Sequence, residues 1–497
     1  MIERKMSRVE GELQSLVGTR SSGGGHWPSA SEIRELSVRR HRRRVGAAGS
    51  AAVVLVTVIA VTSLAIVGPS SSRGKSTEPR VTNHTGVTNH IGSAVELTSL
   101  VKQTTTLNSA AETEVAKAEE EFSLKILGQM VTRSSSANQL MSPFSLSEAL
   151  AMALLGARGQ TAIQIAQALG LSKLSAQQEA LGWASLDEDL VGAATHDHIG
   201  FSDANSVWTQ KGFPIEPGFL KNLKSEFGAG VWQTDFDHDP TSAIRSVNAW
   251  VSQETDGQIP SLLQPSDIPP NTAAVLLNAV LFEAQWATQL IDTSSGVFHA
   301  PSGDVSATYM SPPVDDLDCL ASLGPDLDAL QLPYWDGTGQ QGNRPKSRYA
   351  ALLLMPTSGS LSQFVGSLDS TSLNGIISGM SRQAVSPLVP ELKISSNLQL
   401  VPALQALGIT DAFGPSADFS GLSPIATEIS EVKQQATLRI TKWGTVASAA
   451  TAVVSTATAL VTTRPLKFNR PFLFMIRDTK TGAILFESAI NNPADVG

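Results

Sequence analysis

Residues 444–463, GTVASAATAVVSTATALVTT, are the most unusual stretch of the sequence. These twenty residues contain no charge, no aromatic side chain and no proline, and ten of them are valine or threonine. The β-branched residues disfavour a helix, the many hydroxyls disfavour a membrane span, and the stretch is too apolar for an ordinary linker. A β-strand is favoured, because the small, uncharged side chains at alternate positions from Thr445 can be buried without burying a charge. An exposed stretch of this kind promotes aggregation, so we infer that its ability to become a strand is useful.

The residues around this stretch predict an α+β protein. Downstream, the apolar runs 471–476 and 483–490 are joined by the turn-forming RDTKTG, which predicts a hairpin. Helix and strand patterns alternate without a βαβ rhythm, so we expect one or more large antiparallel sheets. Further strand-like runs lie at 205–209, 273–282, 349–356 and 436–441, and helix-like runs at 110–130, 143–156, 242–255 and 400–409. Gly156 and Gly159 are expected to end the second of these helices.

From about residue 110 to 497, blocks of the chain resemble the serpin family in order and spacing. LKFNRPFLFMI (466–476) fits the serpin signature, and NQLMSPFS (138–145) resembles the family's strand-to-helix opening. The other similar blocks are VNAWVSQETDGQI (247–259), LLNAVLFEAQW (276–286), LQLPYW (330–335), LGITDAFGPSADFSGLS (407–423) and ILFESAINNP (484–493). The resemblance implies a serpin domain over 109–497. Its fold would have a large central antiparallel-rich sheet, further sheets, surrounding helices and an exposed reactive-centre loop at 444–463.

The resemblance also implies an inhibitor rather than an enzyme. A serine or cysteine protease attacks the loop and forms an acyl-enzyme. The freed loop then enters the large sheet as a new strand and carries the covalently bound protease with it, a release of stored strain. We expect a monomeric inhibitor domain that needs no cofactor or metal. The small, flexible hinge that insertion requires is Gly444, Thr445, Ala447, Ser448, Ala449 and Ala450. The alternative is a non-inhibitory serpin-fold binding or surface-interaction protein, which the small hinge argues against.

The family's spacing from Gly444 places the scissile bond at Thr458–Ala459. The following stretch is slightly longer than the family's usual length, so Ala459–Leu460 and Leu460–Val461 are alternatives. All three bonds suit a protease with a small or medium apolar pocket, similar to elastase or subtilisin. Arg464 would suit a trypsin-like protease, but it lies far from the hinge and close to the next predicted strand.

Residues beneath the expected opening of the sheet depart from the family pattern at two places. Lys442, followed by Trp443, stands where a glutamate is usual before the hinge. Gln434 stands where the family has a histidine, and it is expected to face Asn278, Ser142 and Ser145. Glutamine can form hydrogen bonds but does not titrate. Trp286 fits the family's tryptophan at the top of the sheet, or is simply a core aromatic.

The first 108 residues predict a membrane tether. Residues 1–44 are polar and end in the cluster RRHRRR (39–44). An uncharged run, 45–67, follows and is long enough to cross a bilayer, and Gly68-Pro69 ends it. The basic flank predicts a single-pass signal anchor at 45–68 with a cytoplasmic N-terminus. The Ser/Thr/Asn/Gly-rich segment 69–108 predicts a flexible extracytoplasmic linker.

Composition and motifs exclude several other classes. A net charge of −9 and a pI near 5.5 argue against nucleic-acid binding. The single cysteine, Cys319, excludes an intrachain disulfide and a cysteine-built metal site. The sequence GTGQQG at 337–342 matches a dinucleotide fingerprint, but NRPKS follows it and would not begin the required helix. No motif assembles a nucleophile, a base and an orienting acid.

Overall fold

Two β-sheets and nine α-helices make up the part of the chain that the computed structural model describes. The described residues are 89–98, 108–133, 137–255, 257–268, 272–312, 317–338, 346–425, 427–445 and 464–495. The helices are α1 (Ser109–Arg133), α2 (Pro143–Gly156), α3 (Gly159–Ala168), α4 (Ala176–His196), α5 (Pro217–Phe227), α6 (Pro240–Glu254), α7 (Leu361–Ser367), α8 (Ser370–Gly379) and α9 (Val401–Ala406). The strands are β1 (His90–Ile91), β2 (Ala94–Glu96), β3 (Gln139–Met141), β4 (Gly200–Gln210), β5 (Gly230–Thr234), β6 (Ala274–Gln285), β7 (Asp292–Ala300), β8 (Gly303–Ser311), β9 (Leu317–Leu323), β10 (Leu327–Trp335), β11 (Lys346–Pro356), β12 (Ser381–Pro390), β13 (Leu392–Gln399), β14 (Glu431–Thr441), β15 (Gly444–Thr445), β16 (Arg464–Lys467), β17 (Phe472–Asp478) and β18 (Ile484–Ile490).

The first sheet contains eight strands in the order β1-β2-β5-β4-β6-β15-β14-β13. Its neighbours are antiparallel except for β4 with β5 and β6 with β14. The second sheet contains ten strands, with β16 pairing alongside β12. The α+β class and the large antiparallel-rich sheet predicted from the sequence are confirmed.

Helix α2 is the central helix of the fold and contacts strands of both sheets. Ser142 caps it by accepting a hydrogen bond from the Ser145 N–H, and Pro143 occupies the first turn, where a missing N–H costs no bond. Twelve of its fourteen residues are buried, because the helix is apolar on nearly every side. The helix therefore fixes the position of its few polar side chains against the first sheet.

Two predicted helix ends need correction. Gly156 ends α2, but Gly159 begins α3 instead of closing α2. The helix predicted at 400–409 is confined to Val401–Ala406, and Gly408 follows with a φ of +97°. Glycine marks both a helix end and the turn into a new helix, so the residue alone does not decide which occurs.

The predicted linker 69–108 contains two short strands of the first sheet. In β2, Val95 pairs with Gln233 of β5, and the Thr98 hydroxyl accepts a hydrogen bond from the Val231 N–H at 3.2 Å. Gly92, with a φ of +58°, makes the turn between β1 and β2. Strands of two and three residues are too short to show an alternating pattern, which is why the sequence favoured a linker there.

None of the helices in the described ranges is both long enough and apolar enough to cross a membrane. The predicted tail at 1–44 and the predicted anchor at 45–68 lie outside the described residues.

Candidate functional site

The first two hinge residues already lie inside the large sheet. Gly444 pairs with Thr441 of β14 and Gln285 of β6, and Thr445 pairs with Ile440 and Ala284. Farther along the same strands, β6 and β14 pair directly, in the parallel sense, from Glu431 with Val275 to Ala436 with Val280. The sheet is therefore split at one end, and β15 occupies the split in the antiparallel direction that a longer inserted strand would take.

Gly444 has no room for a side chain at this position. A β-carbon built on it would lie 2.0 Å from the carbonyl oxygen of Ala284, and its φ is +152°. Only glycine tolerates both the contact and the backbone angle. The residue thus allows the chain to turn from β14 back into the split.

Thr445 is held by a buried aromatic pair. Its side chain is 1% exposed, and its hydroxyl lies 2.7 Å from the hydroxyl of Tyr334. The Tyr334 ring stacks on Trp286 with centroids 4.6 Å apart, and burial raises the pKa of the tyrosine. Trp286 donates from Nε1 to the Thr441 carbonyl at 2.9 Å, so the same pair also fixes the end of β14. The sequence pointed to Trp286 but assigned no role to Tyr334, whose only signal was its place in the LQLPYW block.

Polar side chains join β14, β6 and α2 where the split sheet closes. Gln434 accepts a hydrogen bond from the Ser142 N–H and donates to the Ser142 carbonyl, both at 2.8 Å. It also donates to Asn278 Oδ1 at 2.8 Å, and Asn278 donates to the Ser145 hydroxyl. We call Gln434, Asn278, Ser142 and Ser145 the gate. The structure brings these four sequence-predicted residues together, and all are buried.

Three further polar residues extend the gate across β4, and sequence reasoning missed them. Asn205 accepts from Asn278 at 2.6 Å and donates to Glu148 Oε2 of α2 at 2.7 Å. Asp203 accepts hydrogen bonds from Ser145 and Asn205. Burial and the neighbouring Asp203 raise the pKa of Glu148 well above its usual range. The only signal in the sequence was one acidic residue in an otherwise apolar helix.

The comparisons with known proteins agree with this geometry. A family model described as Serpin (serine protease inhibitor) matches residues 117–493. The chain belongs to the serpin family. An uncharacterised serpin-like protein of Thermococcus kodakarensis is 30% identical to this serpin, across 78% of the present chain and 88% of that relative. Plasminogen activator inhibitor 1 of Neovison vison is 28% identical, across 77% and 94% of the two chains.

Solved serpin structures share the fold. The thermophilic serpin tengpin in its native state superposes with a TM-score of 0.70 at 25% identity, covering 80% of this serpin and 99% of tengpin. Human thyroxine-binding globulin in complex with its ligand gives a TM-score of 0.68 at 24% identity, covering 78% and 100%, and shows the fold alone. Family membership supports protease inhibition in general terms.

The remaining predicted residues divide between the described and the undescribed parts of this serpin. The Lys442 ammonium lies 5.2 Å from the centre of the Trp443 ring, a cation–π contact at the turn into the hinge. Arg464 begins β16, where its backbone pairs with Val385. The remaining hinge and scissile-bond predictions fall outside the described residues, at Ala447, Ser448, Ala449, Ala450, Thr458, Ala459, Leu460 and Val461.

Replacing Gln434 by leucine is expected to weaken the gate. The substitution leaves the Ser142 N–H and Asn278 Oδ1 without their partner in a buried site, whereas the Ser142 carbonyl still accepts from the Leu146 N–H at 3.2 Å. Each buried polar group left unpaired costs about 1–3 kcal/mol, so we expect the free energy of unfolding to fall by about 3 kcal/mol in urea titration. The matched control is Gln435→Leu, one residue along β14 and on the opposite face, which should change stability much less. Equal losses for the two variants would contradict the role of Gln434.

Proposed function

We propose that this serpin is an irreversible suicide-substrate inhibitor of extracytoplasmic serine proteases, with a preference of the elastase or subtilisin type. The observation that carries the proposal is the hinge. Gly444 and Thr445 already occupy the split between β6 and β14 in the direction of insertion. The residues that follow are small and uncharged, so the strand can lengthen without burying an unpaired charge.

The register of β15 defines where a longer strand would lie. Continuing the pairs Thr445–Ile440 and Thr445–Ala284 places Thr451 between Gln434 and Asn278. It places Val454 between Glu431 and Val275, which now pair with each other. Insertion must therefore break the hydrogen bond between Gln434 and Asn278, and a threonine hydroxyl would arrive where that bond is lost. The gate thus opposes insertion until the loop is cut.

The chemistry follows the family's general pattern. The protease serine attacks the carbonyl carbon of Thr458, the peptide bond to Ala459 breaks, and the new amino group of Ala459 departs with a proton. Thr458 remains joined to the serine as an ester. Strand addition then moves this ester away from the active-site geometry that hydrolysis requires. Small side chains around the bond favour a shallow apolar pocket, which is the basis for the elastase or subtilisin preference.

The test uses the full-length protein mixed with an elastase-like and a subtilisin-like protease, followed by a denaturing gel and mass spectrometry. We expect a covalent band at the summed mass and a released peptide that begins at Ala459, or at Leu460 or Val461 if the bond is displaced. Cleavage of the loop with a fully active protease and no covalent band would make this serpin a non-inhibitory binding or surface-interaction protein.

The charge pattern of the N-terminal segment supports a membrane location. We propose that residues 45–68 anchor a monomeric serpin domain outside the membrane, with residues 1–44 in the cytoplasm. In intact cells, added protease should cut the serpin domain and leave an epitope placed before residue 39 untouched. Replacing Val56 and Ile59 by aspartate should release the protein from the membrane fraction. Retention of that variant in the membrane fraction would argue against the anchor.

A further inference from the structure

Polar contacts continue from the gate to a pair of carboxyl groups on the β6 side of the split. Glu148 projects from α2 and is 4% exposed, and Asp203 projects from β4 and is half-buried. Asn205 donates its side-chain amide to both carboxyls, at 2.7 Å to Glu148 and 3.2 Å to Asp203. The pair is therefore part of one hydrogen-bonded set with Asn278 and the gate.

Both carboxyl groups accept a hydrogen bond from the same Asn205 amide nitrogen, so they lie side by side. A proton on one of them would allow it to donate a hydrogen bond to the other. The groups that act on Glu148 are negative or neutral: Asp203 from β4, Asp187 from α4 and the amide of Asn205. Burial, followed by the negative charges of Asp203 and Asp187, favours the protonated form of Glu148 and raises its pKa, while the hydrogen bond from Asn205 acts in the opposite direction. Two charged carboxylates would repel each other in this place.

Two routes of hydrogen bonds connect the Glu148 and Asp203 carboxyl groups to the gate. Ser145 donates to Asp203 and accepts from Asn278, the residue that also binds Gln434 across the closed strands. A second route runs from Asn278 through Asn205 to Glu148. Repulsion between Glu148 and Asp203 would thus move the partners that align Asn278 with Gln434.

We propose that Glu148 and Asp203 are positioning residues that hold the gate closed through one shared proton, so that rising pH loosens the gate and speeds loop insertion. The inference rests on the proposed function and adds a regulation to it. Gln434 does not titrate, so the pH dependence is assigned to α2 and β4 and not to β14.

The direction of the expected pH effect on gate opening follows from proton linkage. A carboxyl whose pKa is raised in the folded state binds more protons there than in the unfolded state. Its stabilising contribution is complete below the ordinary glutamate pKa and is lost as the pH rises through the folded value. Opening of the gate should therefore be slow in mild acid and faster in mild alkali.

The experiment measures gate opening without any protease. Full-length protein is mixed with a synthetic peptide of its own residues 446–458, and incorporation is followed by native electrophoresis. We expect the incorporation rate of the wild type to rise roughly tenfold between about pH 6 and about pH 9, corresponding to about one pKa unit of differential interaction. Glu148→Gln, which keeps the shape and cannot ionise, should incorporate slowly with a flat pH profile. Asp203→Asn should also flatten the profile.

Glu119→Gln is the matched control. Glu119 is also buried, at 1% exposure, and burial raises its pKa to about 8, but it lies on α1 and bonds to Ser123 and the Ile484 N–H. This variant should keep the pH slope of the wild type. A flat wild-type profile, or a Glu148→Gln profile as steep as the wild type, overturns the inference. If Glu148→Gln and Asp203→Asn both fail to fold, the wild-type and Glu119→Gln pH profiles still decide the inference. Parallel slopes support it, and loss of the slope in Glu119→Gln assigns the pH effect to Glu119.

The covalent protease band and the peptide incorporation rate distinguish a failure of the proposed function from a failure of this inference. A pH-dependent incorporation rate with no covalent protease band would leave the gate inference intact and remove the inhibitor proposal. A covalent band with a flat incorporation profile would do the reverse.

Discussion

Replacing Thr445 by arginine is expected to convert the inhibitor into a substrate. Thr445 is 1% exposed in the split sheet and lies against the Tyr334 hydroxyl. Arginine would bring an unpaired charge to this position, at a cost of about 3–5 kcal/mol, so we expect the yield of covalent complex to fall at least about 100-fold. The protease should still cut the loop, because the bond it attacks lies far along the chain from residue 445. Gel densitometry of the covalent band against the cleaved band measures the change.

The control is Thr445→Ser, which retains the hydroxyl and adds no volume. It should form nearly as much covalent complex as the wild type. A Thr445→Arg protein that still traps protease at the wild-type yield would show that insertion does not pass through the split occupied by β15.

Cutting the loop is expected to raise the melting temperature strongly. In the register of β15, residues 446–454 would pair with Arg439 to Glu431 on one side and with Glu283 to Val275 on the other. At about 1 kcal/mol for each residue that joins the sheet, the free energy of unfolding of the cleaved protein should rise by about 10 kcal/mol. In a chain of this size, each degree of melting temperature corresponds to roughly 1 kcal/mol of unfolding free energy, so the melting temperature should rise by about 10 °C or more.

Calorimetry before and after limited cleavage tests this prediction. Cleaved Thr445→Arg is the control and should melt close to its uncut form, because its loop is cut but cannot enter the sheet. A cleaved wild type that melts like the intact protein would exclude insertion and favour a surface-binding role.

The sequence predicted the long elements well because their patterns are local. All seven residues of β18 and five of the seven of β17 lie in the two predicted C-terminal runs, and both strands are buried throughout. The helix from Ser109 also shows its apolar face in the sequence. In contrast, β15 has two residues and exists only through pairing with Ala284 and Gln285, far away in the chain. Local patterns carry no information about such a strand.

The sequence predicted those site residues that lie in blocks resembling the serpin family. Gln434, Asn278 and Ser142 were placed through resemblance and meet in the structure. Tyr334 and Glu148 were not singled out, since a tyrosine in a strand and an acid in a helix are usually ordinary surface or core residues. Only the distances to Thr445 and Asn205 distinguish them.

The register of β15 also determines how far along the large sheet an inserted loop would extend. Because Thr445 is already fixed between Ile440 and Ala284, each later residue that joined the strand would pair at a position set by its distance from Thr445 along the chain. Residues 446–454 would extend it by about 30 Å, at about 3.3 Å for each residue. A captured enzyme, joined at Thr458 beyond the end of this strand, would be carried at least that distance past Thr445. Adding one residue to the loop before Thr458 would place the ester about 3.3 Å farther along the chain from the inserted strand once insertion is complete.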